Sequence, residues 1–263
     1  MPFKNFKNKI KKIDQKFFNN FIKTIYKIFF YNLIIKLEER KITSLPSYFS
    51  KNYALNSRLM FFKRAQYYLQ VNRIDGIYAE FGSHECNTFR MALRTLGLPR
   101  KPNKISKFYA FDSFQGMPEP IGIDKQKIWY RSMNFTTKKD FLKIVKKDAH
   151  RVVAVEGFFE DTLRNYKFEN NEKIALAYID CDYYSSTTEC LNFIKDKLQH
   201  GSLIAFDDWD CYYSDPKRGQ KLAYEYFKKE IENEYSLEFL CDISSGGRCF
   251  VFLENSKIGK DIL

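Results

Sequence analysis

Two stretches decide the fold: Ile174–Asp182, IALAYIDCD, and Leu203–Asp208, LIAFDD. Each is a short apolar run of the kind that forms a strand buried on both faces, and each ends in aspartates. The residues between them, 183–200, have helical spacing. A strand–helix–strand unit of this length places its two strands parallel and adjacent, since a parallel pair needs a crossover of about a dozen residues or more. Their C-terminal ends then share one edge of the sheet, where open α/β folds bind ligands. Asp180, Asp182, Asp207 and Asp208 crowd that edge, and like charges so close repel unless a cation joins them. A hard divalent ion with oxygen ligands is the simplest partner. The plainer alternative makes these aspartates solvated strand ends and helix caps.

Outward from this unit the chain alternates. Strand-like runs occupy 76–82 (GIYAEFG), 108–112 (FYAFD) and 152–155. Helical spacing covers 52–70, 88–96, 137–147 and 220–231, the last with Leu222, Ala223, Tyr226 and Phe227 inward. Residues 237–241 and 248–253 form a closing hairpin around Ser245-Gly246-Gly247. The pattern predicts an α/β fold: a doubly wound, mostly parallel, Rossmann-like seven-stranded sheet with a C-terminal antiparallel hairpin and an N-terminal helical extension.

The extension accounts for most of the basic character. Residues 1–41 carry eleven Lys/Arg against Asp14, Glu38 and Glu39, in a chain whose formal net charge is +12. Ile10, Ile13, Phe17, Phe21, Ile25 and Ile28 fall on one helical face within residues 8–37, with lysines opposite. Its longest uncharged run, 28–35, is far below the roughly 20 residues a bilayer crossing needs. Three readings stay open: a helix lying peripherally on an anionic membrane surface, a homodimer contact, or a helix docked on its own domain. Nucleic acid is not expected as a partner, because no reader motif is visible and the lysine stripe has no aromatic interleaving on its face. The expected organisation is a helical extension and hinge over 1–50 and a catalytic domain over 51–263. The six cysteines show no CxxC pair or zinc spacing, and no secretory signal is visible. They read as reduced, mostly buried thiols of a cytoplasmic chain, peripheral at the inner membrane face if the extension binds lipid.

The first strand–turn–helix bears on a cofactor. Gly82 allows close backbone approach at the turn, and one strand later Asp112 stands where an acid accepts hydrogen bonds from the two hydroxyls of a ribose. The segment after Gly82, Ser83-His84-Glu85-Cys86-Asn87, has no further glycine. That counts against a dinucleotide, whose pyrophosphate needs such glycines, and favours S-adenosylmethionine.

Taken together, Ala79-Glu80-Phe81-Gly82, the run Tyr109–Pro118 (YAFDSFQGMP), Gly157–Leu163 (GFFEDTL), Ile179–Thr187 (IDCDYYSST) and Gly201–Asp208 (GSLIAFDD) resemble the macrocin O-methyltransferase (TylF/MycF) family of class I S-adenosylmethionine-dependent methyltransferases. The resemblance covers about residues 76–253. It implies that Glu80, Gly82 and Thr88 surround the methionine end of the cofactor, that Asp112 and Ser113 hold the ribose, and that Phe158 and Asp161 lie near the adenine. It implies Mg²⁺ at Asp180, Asp207 and Asp208, holding neighbouring hydroxyls of a sugar or glycan-type acceptor. For the proton, Asp180 is the expected acceptor as well as a metal ligand, with Asp182 and His84 as reserve candidates. Two departures stand out. Cys86 and Asn87 replace the usual glycines, and Tyr183 stands where the similar catechol enzymes carry a catalytic lysine. The segment Glu119–Phe135, with Trp129 and Tyr130, is a candidate lid over the acceptor. Two other classes compete with this reading: an NAD-linked Rossmann enzyme, and a non-catalytic Rossmann scaffold that uses its N-terminal helix to bind a membrane or partner.

Overall fold

The computed structural model describes residues 49–97, 105–244 and 246–260, with side chains from residue 57 onward. The chain divides into two compact units, Met1–Asn52 and Tyr53–Leu263. The amphipathic helix expected over residues 8–37, and with it the membrane and dimer readings, lies outside the described residues. Among the described residues no helix is long and apolar enough to cross a membrane.

Seven strands form one sheet: β1 (Gly76–Phe81), β2 (Ile105–Asp112), β3 (Val152–Glu156), β4 (Ile174–Ile179), β5 (Leu198–Phe206), β6 (Tyr235–Asp242) and β7 (Arg248–Glu254). Their spatial order is β3-β2-β1-β4-β5-β7-β6. The first five are parallel neighbours, and β7 runs antiparallel between β5 and β6. The expected closing hairpin is therefore present, inserted with its second strand against β5.

The helices are α1 (Phe49–Val71), α2 (Asn87–Thr95), α3 (Lys138–Ile144), α4 (Phe159–Thr162), α5 (Tyr184–Ile194) and α6 (Gly219–Ile231). They cover both faces because strand side chains alternate. On one face Ile77, Ala79, Phe81, Phe111, Ile179 and Phe206 join Leu191, Phe193 and Phe227 of α5 and α6 in the main core. On the other, Phe62 of α1 stacks on Tyr178, and Phe89 of α2 meets Tyr78 and Phe108. Such rings each bury a large apolar area and hold orientation through edge and offset contacts.

Three expectations are corrected. Helix α5 stops at Ile194 instead of running to His200, because Leu198 already pairs with Ile174 as β5 begins. The pairing then slips: Leu176 meets Leu203, and the extra residues are taken up near Gly201, whose φ is +86°. Helix α3 covers only Lys138–Ile144, capped by the Thr137 hydroxyl, and a 3₁₀ turn follows over Lys146–Arg151. On α6, Tyr226 is exposed and Tyr224 is the buried tyrosine. The six cysteines are unpaired; Cys86, Cys190, Cys241 and Cys249 are buried.

Gly82 is dictated by strand spacing. It has φ +91°, and a Cβ there would lie 1.9 Å from the carbonyl oxygen of Asp180. The crossing from β1 into its turn thus touches the end of β4 backbone to backbone. Gly82→Ala combines a disfavoured φ with a clash against main chain, and should cost about 3 kcal/mol or more of unfolding free energy, read from urea denaturation. A loss under about 1 kcal/mol would contradict this account of the β1–β4 contact.

Candidate active site

The parallel pairing of β4 and β5 sets the site. Ile179 is opposite Phe206, and the Asp207 N–H donates to the Ile179 carbonyl at 3.0 Å. Asp180 and the Asp207-Asp208 couple therefore emerge side by side, with ligand oxygens of all three within 4.8 Å of one another. The alternative of separate, solvated strand ends is not what the geometry gives.

Each acid is held differently. The Asp180 carboxylate accepts no hydrogen bond among the described residues. Asp208 Oδ2 accepts from the Asp182 N–H at 3.0 Å, a bond made possible by the left-handed backbone of Asp182 (φ +60°). Gln220, at the start of α6, accepts the Asp208 N–H at 2.9 Å and donates to the Ile179 carbonyl at 3.0 Å, locking the two strand ends together. Asp207 is gripped by Arg58 of α1 and by the Tyr178 hydroxyl.

The electrostatics follow from burial and repulsion. Burial, then Asp207 and Asp208, push Asp180 well above the carboxylate range, with Arg58 opposing. Burial, then Asp182 and Asp207, do the same to Asp208. Asp182 is pushed up to about 8 by burial and by Asp180 and Asp207. Burial works against the Arg58 charge, but Asp207, Tyr178 and Asp180 together outweigh it, so its guanidinium is held firmly charged.

The turn after β1 lies against this rim through Gly82. Glu80 is fully buried and accepts hydrogen bonds from the Tyr78 hydroxyl and, at 2.9 Å, from Thr88 of α2. Burial raises it to about 8. Cys86 caps α2 with φ +56°, a left-handed conformation glycine takes without strain, at one of the two positions where the usual glycines are replaced. Asp112 ties the turns after β1 and β2 together: its Oδ2 accepts from the Ser83 N–H at 2.7 Å and its Oδ1 from the Phe114 N–H at 2.6 Å. Each oxygen keeps a second lone pair. The Ser113 hydroxyl is used within its own turn, donating to the Gly116 carbonyl at 2.7 Å. Phe158 is half-buried at the N-cap of α4, and Asp161 is exposed in that helix's first turn. His84 is exposed.

The long segment after β2 is anchored beside the acids. Asp124, buried, caps α5 by accepting the Tyr184 N–H at 2.7 Å. Trp129 is not an exposed lid residue: it is buried against Tyr183 and Tyr212, whereas Tyr130 is exposed. Tyr212, Tyr213 and Ser214 all have φ near +60°, which costs roughly 1–2 kcal/mol apiece. Contacts to Asp124 and Arg218 hold that turn in place.

A sequence profile of the macrocin O-methyltransferase (TylF) family matches residues 37–233. The chain belongs to the macrocin O-methyltransferase family. It is accordingly an S-adenosylmethionine-dependent O-methyltransferase. Among solved structures, the calicheamicin methyltransferase CalS11 superposes with a TM-score of 0.60 at 23% identity, covering 82% of this chain and 91% of that one. The O-methyltransferase NovP gives 0.56 at 18% identity, covering 74% and 79%. An apo structure of CalS11, there called a TDP-rhamnose 3'-O-methyltransferase, gives 0.51 at 25%, covering 73% and 77%. No curated protein matches by sequence.

Sequence reasoning missed Arg58, Tyr178, Gln220 and Asp124, which hold the acids and their surroundings. For Arg58 a signal exists: it occupies the inward stripe of α1 with Phe62, Ala65 and Leu69, all buried, at spacings of four, three and four.

The carboxyl groups of Glu80, Asp180, Asp182 and Asp208 all sit above their unfolded values, so the folded state holds extra protons between about pH 4 and pH 8. Stability contributed by these groups is present below the unfolded value and is lost as pH rises through the folded one. In EDTA the thermal midpoint should fall between about pH 5 and about pH 8.5, read by circular dichroism. A flat or rising midpoint would contradict the buried, mutually repelling arrangement.

Proposed function

We propose that the chain transfers the methyl group of S-adenosylmethionine to a hydroxyl of a sugar-type acceptor, with a divalent cation, Mg²⁺ by its chemistry, at Asp180, Asp207 and Asp208. The observation that carries the reading is the convergence of these three carboxylates at the β4–β5 rim, in backbone contact with the β1 turn through Gly82. The donor set suits a hard cation: all oxygen, all acidic, one carboxylate with no hydrogen bond among the described residues and two others with oxygen lone pairs still open. CalS11's description as a TDP-rhamnose methyltransferase supports a sugar acceptor.

In this reading the turns after β1 and β2 bind the cofactor. The second lone pairs of the two Asp112 oxygens take the ribose hydroxyls, and Ser113 shapes the turn that presents them. Glu80, Gly82 and Thr88 form the wall at the methionine end, and Phe158 with Asp161 borders the adenine. The bound cofactor supplies the methyl group on a positively charged sulfur. A bound cation lowers the pKa of the acceptor hydroxyl and fixes its direction. The protein's part is to hold the acceptor oxygen in line, about 3 Å from the methyl carbon, and to receive its proton. Asp182 is the residue for that proton: its backbone is tied to Asp208, and its carboxyl sits near neutral affinity. Asp180 is the second candidate. Tyr183 is buried against Trp129 and takes no catalytic place.

Asp180→Ala and Asp207→Ala should each lower turnover at least about 100-fold while S-adenosylhomocysteine still binds, with TDP-rhamnose as a first acceptor to try. Full activity of either variant, or of the wild type in EDTA, would remove the metal from the mechanism. Asp182→Asn should lower kcat by roughly 100-fold or more with little change in cofactor affinity. Unchanged kcat would move the base elsewhere.

A further inference from the structure

Asp207 is held more tightly than its position at a strand end requires. Its Oδ1 accepts hydrogen bonds from Arg58 Nε at 2.8 Å and from the Tyr178 hydroxyl at 2.5 Å, and its Oδ2 accepts one from Arg58 Nη2. A carboxylate oxygen offers about two lone-pair sites. Oδ1 is therefore filled, and Oδ2 keeps one open position. The contact is bidentate, so it fixes the plane of the carboxylate as well as its charge. Both side chains are withdrawn from solvent, Arg58 to 24% and Asp207 to 3% exposure. Arg58 comes from α1, packed against the sheet through Phe62 on Tyr178, and Tyr178 is itself the other donor to Asp207.

We infer that Arg58 is a positioning residue of the metal site: from α1 it holds Asp207 so that one Oδ2 lone pair is left to meet a divalent cation together with Asp180 and Asp208. The inference rests on the cation proposed above and adds to it a residue 149 positions earlier in the chain.

Two effects oppose each other, with opposite signs. A guanidinium close to a bound cation repels it, so as a bare counter-charge Arg58 weakens metal binding. As the partner that orients a ligating carboxylate it strengthens binding, and partners of that kind typically contribute about 10–100-fold in affinity. Orientation wins here because Arg58 and Asp207 form a neutral pair. Its field at the cation falls off faster than that of a free charge. Without the fork, the Asp207 carboxylate is left with a single described hydrogen bond, from Tyr178, about which it can turn.

The test is a titration of the full chain with Mn²⁺, without cofactor or acceptor, read by the loss of free-ion electron paramagnetic resonance signal. Arg58→Ala should weaken Mn²⁺ binding by about 10–100-fold. Arg58→Lys should weaken it too, by about 10-fold, because an ammonium keeps the charge but not the fork. Equal or tighter binding by Arg58→Ala would make Arg58 a counter-charge only, and wild-type affinity in Arg58→Lys would show that charge suffices. Either result overturns the inference. Both variants should bind S-adenosylhomocysteine with wild-type affinity, and loss of that binding in both would assign Arg58 to the fold instead. Failure of the cation reading itself shows separately, as no Mn²⁺ binding by the wild-type chain.

Discussion

The mutual repulsion of Asp180, Asp182, Asp207 and Asp208 is the constraint on which the rest of this molecule depends. Four carboxylates gathered at the ends of two adjacent strands cannot all be charged without help, and burial makes the problem worse. The chain answers in three ways. Arg58 neutralises Asp207, backbone and side-chain amides from Asp182 and Gln220 satisfy Asp208, and burial pushes the acids that remain, Asp180 and Asp182, towards their neutral forms. Under the proposed function a cation would take up this charge, beside the β1 turn that the same proposal assigns to the methyl donor.

Much of this was legible in the sequence because strand chemistry is local. IALAYIDCD and LIAFDD announce buried strands with acids at their ends, and the helical spacing between them makes the pair parallel, so the convergence at one rim follows from connectivity alone. The same logic gives the strand alternation and the closing hairpin. The placement of Asp112 beneath the β1 turn is likewise local to its strand, as is its Phe114 amide partner, although its Ser83 amide partner is not.

What stayed hidden depends on contacts distant in sequence or on competing periodicities. Leu191, Ile194 and Leu198 share helical spacing, so α5 reads six residues too long; only pairing with Ile174 shows that Leu198 belongs to a strand. Trp129 reads as a loop aromatic and proves to be core, because Tyr183 and Tyr212 come to it from other elements. Arg58 was the largest omission. A charge within an apolar stripe was visible, but its partner lies 149 residues further along the chain, and nothing local names it.

The account's central claim is that three carboxylates grip one cation at the β4–β5 rim. It is tested most directly by anomalous diffraction at the manganese edge from crystals grown with Mn²⁺ and S-adenosylhomocysteine. The account predicts a single peak about 2 Å from oxygens of Asp180, Asp207 and Asp208. A rim without a peak, or an ion bound elsewhere, would contradict it.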